Sequence, residues 1–383
     1  MRRVGLIIDI NFAKQHHVGI VAGVRRYAQE QEHWDCIFSP QLCETLRIPG
    51  TRSRYDGIIT RVTPKWARLI KKARVPLVNV RLQTTASDVL TVAPDRRAAG
   101  RMAAEHFLAR GFRHFGYLGF RNDKNSRQQC AGYWDTLQNA GWDCDIRLTN
   151  VTYDEESRKW QRFLDETNRW ITSWPRPIGI LAGSDFLCRY VADLCFRNGL
   201  DIPLDVALIG IQNEPMVCVE PAPSLTSVDL GYDRVGYEAA RLLESLMDGR
   251  KPPSKMITLP PKGLIARQST DVFAVEDPLV VQAMRFMSEK GHTGIDVSTV
   301  AEAAATTRRT LERRFRAVLG RTIAEELTRL KIERVKRLLV DTDIAIKTLA
   351  LECGFVDGKQ MSKTFARVVG IPPTEYRHRN LLK

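Results

Sequence analysis

Cys353–Phe365 reads CGFVDGKQMSKTF: two glycines, a lysine directly after the second, and a basic stretch closing on an aromatic ring. A phosphate-cradling loop would need four residues between its glycines, a Ser or Thr after the lysine, and a strand in front. Here three residues separate Gly354 from Gly358, Gln360 follows Lys359, and the preceding LALE has helical character. A plain solvated turn would explain the glycines but not what lies about fifty residues upstream. There VAEAAATTRRTLERRFRAVLGRT (Val300–Thr322) shares the layout of LALECGFVDGKQMSKTFARVVGIPP (Leu349–Pro373). In each copy a short Ala-rich helix reaches a turn of small residues. A second helix follows, with apolar residues four apart and a glycine five further on: Leu311, Phe315 and Gly320, then Met361, Phe365 and Gly370. Two short helices joined by a tight turn make a helix-turn-helix. Thr307 and Asp357 are suited to cap the two second helices. The competing reading is a small helical bundle without nucleic acid.

Charge favours the first reading. Thr306–Leu339 carries eleven Lys and Arg against four acidic residues, and the whole 383-residue chain has a formal charge of +14. A basic second helix with polar tips suits a recognition helix, whose N-terminal residues reach base edges while flanking cations meet phosphates. The expected base contacts are Arg308, Arg309, Arg313, Lys359 and Gln360, with Arg reading guanine and Gln reading adenine. Arg314, Arg316, Lys363 and Arg367 are expected at phosphates or as solvated charges. Between the copies, Ile323–Val340 has a helical apolar face. Eighteen helical residues span about 27 Å, so this helix could hold two units about one DNA turn apart.

Residues 279–380 resemble the AraC/XylS-type DNA-binding domain. The resemblance rests on AEAAATTRRTLERRFRAVLG, ERVKRLL, IKTLALECGF, Phe365 and the ending GIPPTEYR. It departs at Met361, where an aromatic is usual, and at Ala366, where a lysine is usual. Gly358 is expected inside the second recognition helix, at a cost of about 1 kcal/mol relative to Ala.

The first 270 residues have a different rhythm. Short apolar runs (RVGLIID, DGIITRV, VPLVNVR, FGYLGF, IGILAGS, VALIGIQ) alternate with segments of helical period. Such alternation implies parallel sheets with crossover helices. The length implies two α/β lobes with a ligand cleft between them. Proline-rich DGRKPPSKMITLPPKG (Asp248–Gly263) and the connector RQSTDVFAVEDP (Arg267–Pro278) precede the helical part, which divides the chain into 1–270 and 271–383.

Ligands of parallel sheets bind beyond the carboxyl ends of the strands. Those ends supply Asn11, Phe12 and Gln15; Arg61; Arg81; Asp123 and Arg127; Asp185; and Gln212 and Asn213. Asp, Asn, Gln and Arg pair with sugar hydroxyls, and Phe12 could lie against the apolar face of a sugar ring. Each has a plainer reading as a helix cap or loop residue; Asp185, before FLCRYV, is itself a suitable cap.

Three stretches, Thr91–Gly119, Gly179–Glu214 and Ile257–Thr270, resemble in order the sugar-sensing core of LacI/GalR-type regulators. LacI-type chains start with their own DNA-binding headpiece, whereas this one starts at the first strand. Gln212 stands where that pattern usually has Asp, and Gln129 where it often has Arg, so both changes remove charge from the expected pocket. Together the resemblances imply an α/β, two-lobed, periplasmic-binding-protein-like (type I) sensor followed by an all-α domain with two helix-turn-helix units. They imply a homodimer that responds to a sugar effector, a pentose favoured, and binds a double-stranded DNA operator. They further imply that sugar closes the lobes and re-spaces four helix-turn-helix units. The function they imply, with RNA polymerase as a further partner, is activation of genes for catabolism of xylose or a related sugar; repression, or another neutral sugar or polyol, is the alternative.

Other classes fare worse. No G-x-G-x-x-G, G-x-S-x-G or H-E-x-x-H occurs, so no cofactor, metal or catalytic residue is expected. His16–His17 reads as helix surface, and the neighbours Glu155–Glu156 diverge on a helix and make a poor acid/base pair. A sugar-processing enzyme is the remaining rival. MRRVGLIIDIN meets Asp9 too soon for a secretory core, and no run of about 18 apolar residues exists. The eight cysteines show no CxxC pair and read as reduced thiols. The expectation is a cytoplasmic protein with no membrane partner.

Overall fold

The computed structural model describes residues 1–8, 15–38, 55–62, 75–80, 89–150, 158–220, 222–250, 254–271, 277–342 and 344–381. The chain forms two compact units, Met1–Val272 and Phe273–Lys383.

The first unit contains two six-stranded sheets. One joins β1 (Arg2–Ile7), β2 (Trp34–Phe38), β3 (Gly57–Thr60), β4 (Leu77–Asn79), β5 (Thr91–Pro94) and β11 (Met256–Leu259) in the order β11-β5-β4-β3-β1-β2. The other joins β6 (His114–Phe120), β7 (Asp145–Thr149), β8 (Ile178–Ala182), β9 (Val206–Ile211), β10 (Thr226–Asp229) and β12 (Gly263–Ile265) in the order β12-β10-β9-β8-β6-β7. Described pairings are parallel except β10 with β12. Strands β3, β4, β8 and β9 are buried along their whole length, as sheets covered on both faces require.

The chain crosses between the lobes after β5, after β10 and after β11. Consequently α2 (Arg96–Leu108) follows a strand of the first sheet but packs on α3 (Lys124–Asn139) of the second lobe. Helix α7 (Tyr232–Met247) returns to pack on α1 (Gln15–Gln31) of the first. Both helix pairs approach backbone to backbone. A Cβ on Gly100 or Gly132, or on Gly23 or Gly236, would lie 1.9–2.0 Å from a carbonyl oxygen of the facing helix. The same packing solution therefore occurs in each lobe. Helix α4 (Arg158–Thr172) buries Trp160, Phe163, Thr167, Trp170 and Ile171, a stripe with helical spacing, and α5 (Asp185–Arg197) packs on β9. The short α6 (Pro215–Cys218) follows β9.

The second unit is helical: α8 (Pro278–Lys290), α9 (Val297–Ala303), α10 (Arg308–Leu319), α11 (Ile323–Asp341), α12 (Ile346–Glu352), α13 (Gly358–Val369) and α14 (Pro373–Leu381). Thr307 caps α10 by accepting from the Thr310 amide, and Asp357 caps α13 by accepting from the Gln360 amide. Gly320 and Gly370 end these helices in the left-handed region, at φ 67° and 87°. Leu311, Phe315 and Leu319 of α10, and Met361 and Phe365 of α13, form the buried stripes. Gly358 is not inside α13 as expected from sequence. It is the first helical residue, directly after the cap, where the helix-interior penalty does not apply.

Candidate functional site

Arg96 follows β5 of the first sheet, and Tyr232, the first residue of α7, follows β10 of the second. Its hydroxyl accepts a short hydrogen bond from Arg96 Nη2. Burial raises the phenol's pKa, while Arg96 and Arg61 oppose that and Asp123 and Asp185 add to it. The Arg96–Tyr232 hydrogen bond thus joins residues that follow strands of both sheets.

The sequence-predicted residues divide around this point. Arg61, half-buried, places Nη1 against His17 Nε2 of α1. His17 is buried at 3 % exposure, which corrects the expectation of a surface histidine pair. Asp123 caps α3, accepting from the Asn125 amide at 2.7 Å. Arg127 is exposed on α3, and its Nη1 lies 3.4 Å from the Arg121 carbonyl. Gln15 opens α1. Asn11, Phe12 and Arg81 lie outside the described residues, as do Glu155 and Glu156.

Asp185 differs from expectation in two ways. Ser184, not Asp185, caps α5 by accepting from the Leu187 amide at 3.2 Å. The Asp185 carboxylate is fully buried, with Oδ2 accepting from the Glu214 amide at 2.7 Å and Oδ1 from Ser227 Oγ at 2.6 Å. Burial nonetheless pushes its pKa up to about 6. The carboxylate thus ties the segments after β8 and β9 to β10.

The turn after β9 is backbone-strained. Gln212 and Asn213 have φ of 121° and 56°, values that L-residues rarely adopt and that cluster at functional sites. Asn213 is held from both sides: its amide donates to Ser227 Oγ at 2.9 Å, and its Oδ1 accepts from Arg267 Nη2 at 2.6 Å. The half-buried Gln212 side chain makes no hydrogen bond among the described residues, so this rigid turn presents a free amide. Gln129 sits deeper than its sequence comparison implied. It is fully buried, its Oε1 lies 3.4 Å from the Tyr117 hydroxyl, and its Nε2 finds no acceptor among the described residues.

Arg96, Tyr232, His17 and Tyr117 were missed from sequence. Arg96 and Tyr232 follow β5 and β10, four-residue strands with sequences TVAP and TSVD, too short and polar for their apolar pattern to stand out. A charged or aromatic side chain directly after such a run is the signal that could have found them.

In the second unit, α9 and α10 form one helix pair and α12 and α13 the next. Arg309, Arg313 and Arg316, at i, i+4 and i+7, share an exposed face of α10 opposite Leu311 and Phe315. Lys359, Lys363 and Arg367 form the matching stripe on α13. None of these six makes an ion pair among the described residues. Two other expected contacts are already engaged: Arg308 Nε bonds Glu312 Oε1 at 3.0 Å, and Arg314 Nη1 bonds Asp277 Oδ2 at 3.1 Å. Gln360 turns back, its Oε1 accepting from the Val356 amide at 3.0 Å. The expected bidentate contact from Gln360 to adenine needs that same oxygen. Lys331 of α11 fastens the second turn, donating to the Gly354 carbonyl at 2.8 Å and lying over the Phe355 ring at 5.7 Å from its centroid. No described helix is long and apolar enough to cross a membrane.

Comparison with known proteins agrees with this division. A periplasmic binding protein-like domain profile matches residues 104–270, and a helix-turn-helix domain profile matches residues 300–379. The xylose operon regulatory protein of Haemophilus influenzae is 27 % identical, with 98 % of each chain covered. Its Escherichia coli K12 counterpart is 28 % identical, covering 99 % of this chain and 97 % of the other. The solved structure of the xylose-binding transcription activator xylR superposes with a TM-score of 0.74 at 26 % identity, covering 99 % of this chain and 98 % of the other. The protein is a transcription regulator rather than an enzyme, with a periplasmic binding protein-like domain followed by a helix-turn-helix domain.

Proposed function

We propose that the first unit senses xylose or a closely related neutral sugar between the carboxyl ends of its two sheets, and that the second unit binds a double-stranded DNA operator through α10 and α13. The observation that carries the sensor reading is the hydrogen bond from Arg96 Nη2 to the Tyr232 hydroxyl, which joins residues that follow strands of both sheets. Arg61, Arg96, Tyr232 and the free Gln212 amide are the polar groups assigned to sugar hydroxyls, joined by Asn11, Phe12, Gln15, Arg81, Asp123, Arg127 and Asn213 from the sequence reading. Asp185 is assigned to positioning the strand ends. A neutral effector suits Gln212, which adds no charge.

For DNA, Arg309 and Arg313 with Lys359 are assigned to base edges. Arg316, Lys363 and Arg367 are assigned to phosphates, and Thr307 and Asp357 to holding the helix tips. The protein acts in the cytoplasm as a homodimer and activates sugar catabolism genes with RNA polymerase. The sugar shifts the population only by its differential affinity for the two sensor states.

A thermal-shift screen of the full chain against pentoses, hexoses and polyols tests the sensor, since a ligand stabilises in proportion to the logarithm of its concentration over Kd. Xylose is expected to give the largest shift. A polyol in its place would redirect the assignment, and no shift from any sugar would remove it.

A further inference from the structure

Val356, directly before the cap of α13, is 78 % exposed. An isolated surface valine is ordinary. This one is bonded to a neighbour: its amide donates to Gln360 Oε1 at 3.0 Å, while Asp357 Oδ1 accepts from the Gln360 amide at 2.7 Å. Because a backbone N–H can only donate, the Gln360 atom facing it must be the oxygen. The Gln360 Nε2 group is therefore the end left to point outward. The helix tip presents an apolar side chain beside a hydrogen-bond donor, held as one unit by the turn.

In the major groove, adenine shows an acceptor and a donor, guanine two acceptors, cytosine a donor, and thymine an acceptor beside a methyl group. A donor next to an apolar group matches the thymine edge: Nε2 to O4, and the valine methyls to the 5-methyl. Cytosine would set donor against donor, and guanine has no methyl to cover the valine. The first helix-turn-helix lacks the device. Its corresponding residues are Thr306 and Thr310, and the Thr310 hydroxyl is engaged by Thr307 Oγ1 at 2.9 Å.

We infer that Val356 and Gln360 together select thymine at one position of the operator. The inference rests on the reading of α13 as a major-groove helix. The test uses the full chain, with and without xylose, to select duplexes from a random pool. Each thymine of the bound sequence is then replaced in turn by deoxyuridine, which lacks only the 5-methyl group. One position under α13 is expected to lose about fourfold in affinity, the worth of one buried methyl. That loss should vanish in Val356→Ala. Gln360→Glu keeps an oxygen for the Val356 amide but replaces the outward donor by an acceptor, so the preference at that position should move from thymine to cytosine.

If the protein binds its selected duplex but no deoxyuridine position separates wild type from Val356→Ala, the thymine assignment is overturned and the DNA-binding reading stands. The same holds if Gln360→Glu leaves the preference at thymine. Failure to enrich any duplex would overturn both.

Discussion

The two helix-turn-helix units share one skeleton and differ in nearly everything attached to it. Thr307, Leu311, Phe315 and Gly320 recur fifty residues later as Asp357, Met361, Phe365 and Gly370, with the same capping, burial and left-handed ends. At the turn, the first unit places Ala305 at φ 50° in the open, and the second places Gly354 at φ 71°. A Cβ on Gly354 would lie 2.8 Å from the His292 carbonyl and the Gly294 amide, so backbone packs where the first unit meets solvent. Beneath the helices, the first unit has fully buried Glu326 between Arg321 and Arg329. The equivalent position in the second is Tyr376, edge-on to Phe365 with centroids 5.4 Å apart. Spacing therefore sets the backbone of the motif, while the surroundings of each copy set its chemistry.

The sharpest way to break the comparison is at that underside. Glu326→Ala leaves two arginines facing a buried void and is expected to destabilise the helical domain, residues 273–383, by about 3–5 kcal/mol. Tyr376→Leu, at the equivalent position, is expected to cost only about 1 kcal/mol through the lost aromatic pair. Urea unfolding followed by circular dichroism measures both; equal losses would mean that the two undersides do the same work.

Gly354→Ala comes next, at about 3 kcal/mol, because left-handed strain and the clash with the Gly294 backbone add. On DNA, Arg309→Ala is expected to relax sequence preference by about tenfold at one base, the lower end of a specific arginine contact. Equal weakening on every sequence would remove its base-reading role. Lys363→Ala should weaken all sequences alike and reduce the salt slope by about 1, measured by anisotropy titrations over a salt series. The smallest effect is the reverse change at the first turn. Ala305→Gly relieves left-handed strain with no clash to resolve and is expected to stabilise by up to about 1 kcal/mol in the same unfolding measurement.

Much of this molecule was legible in its sequence, and the failures share a cause. The helix-turn-helix copies, their caps and their terminal glycines were readable because each depends on contacts three to five residues apart. The strand–helix alternation was readable wherever a strand was long and apolar, as in VALIGI, and unreadable at TVAP and TSVD. Arg96 and Tyr232 were lost with those two strands. For other residues the distant chain set the surroundings. His17, expected at the surface, turns inward where Arg61, forty-four residues away, meets it. Asp185 is buried where the Glu214 amide and Ser227 hydroxyl donate to it.

Local pattern by itself determined that this chain has an α/β part followed by two helix-turn-helix units, since periodicity, capping and turn chemistry act within one or two helical turns. Only the tertiary structure decided which polar groups are left over for ligands and which are used up by the fold. A hydrogen-bonding group is committed by whatever donor or acceptor the distant chain brings within about 3 Å, and no local pattern encodes that distance. The opening stretch shows both. Its spacing identified the motif, but only the three-dimensional turn shows that Gln360 spends its oxygen on Val356 and keeps its nitrogen for a partner.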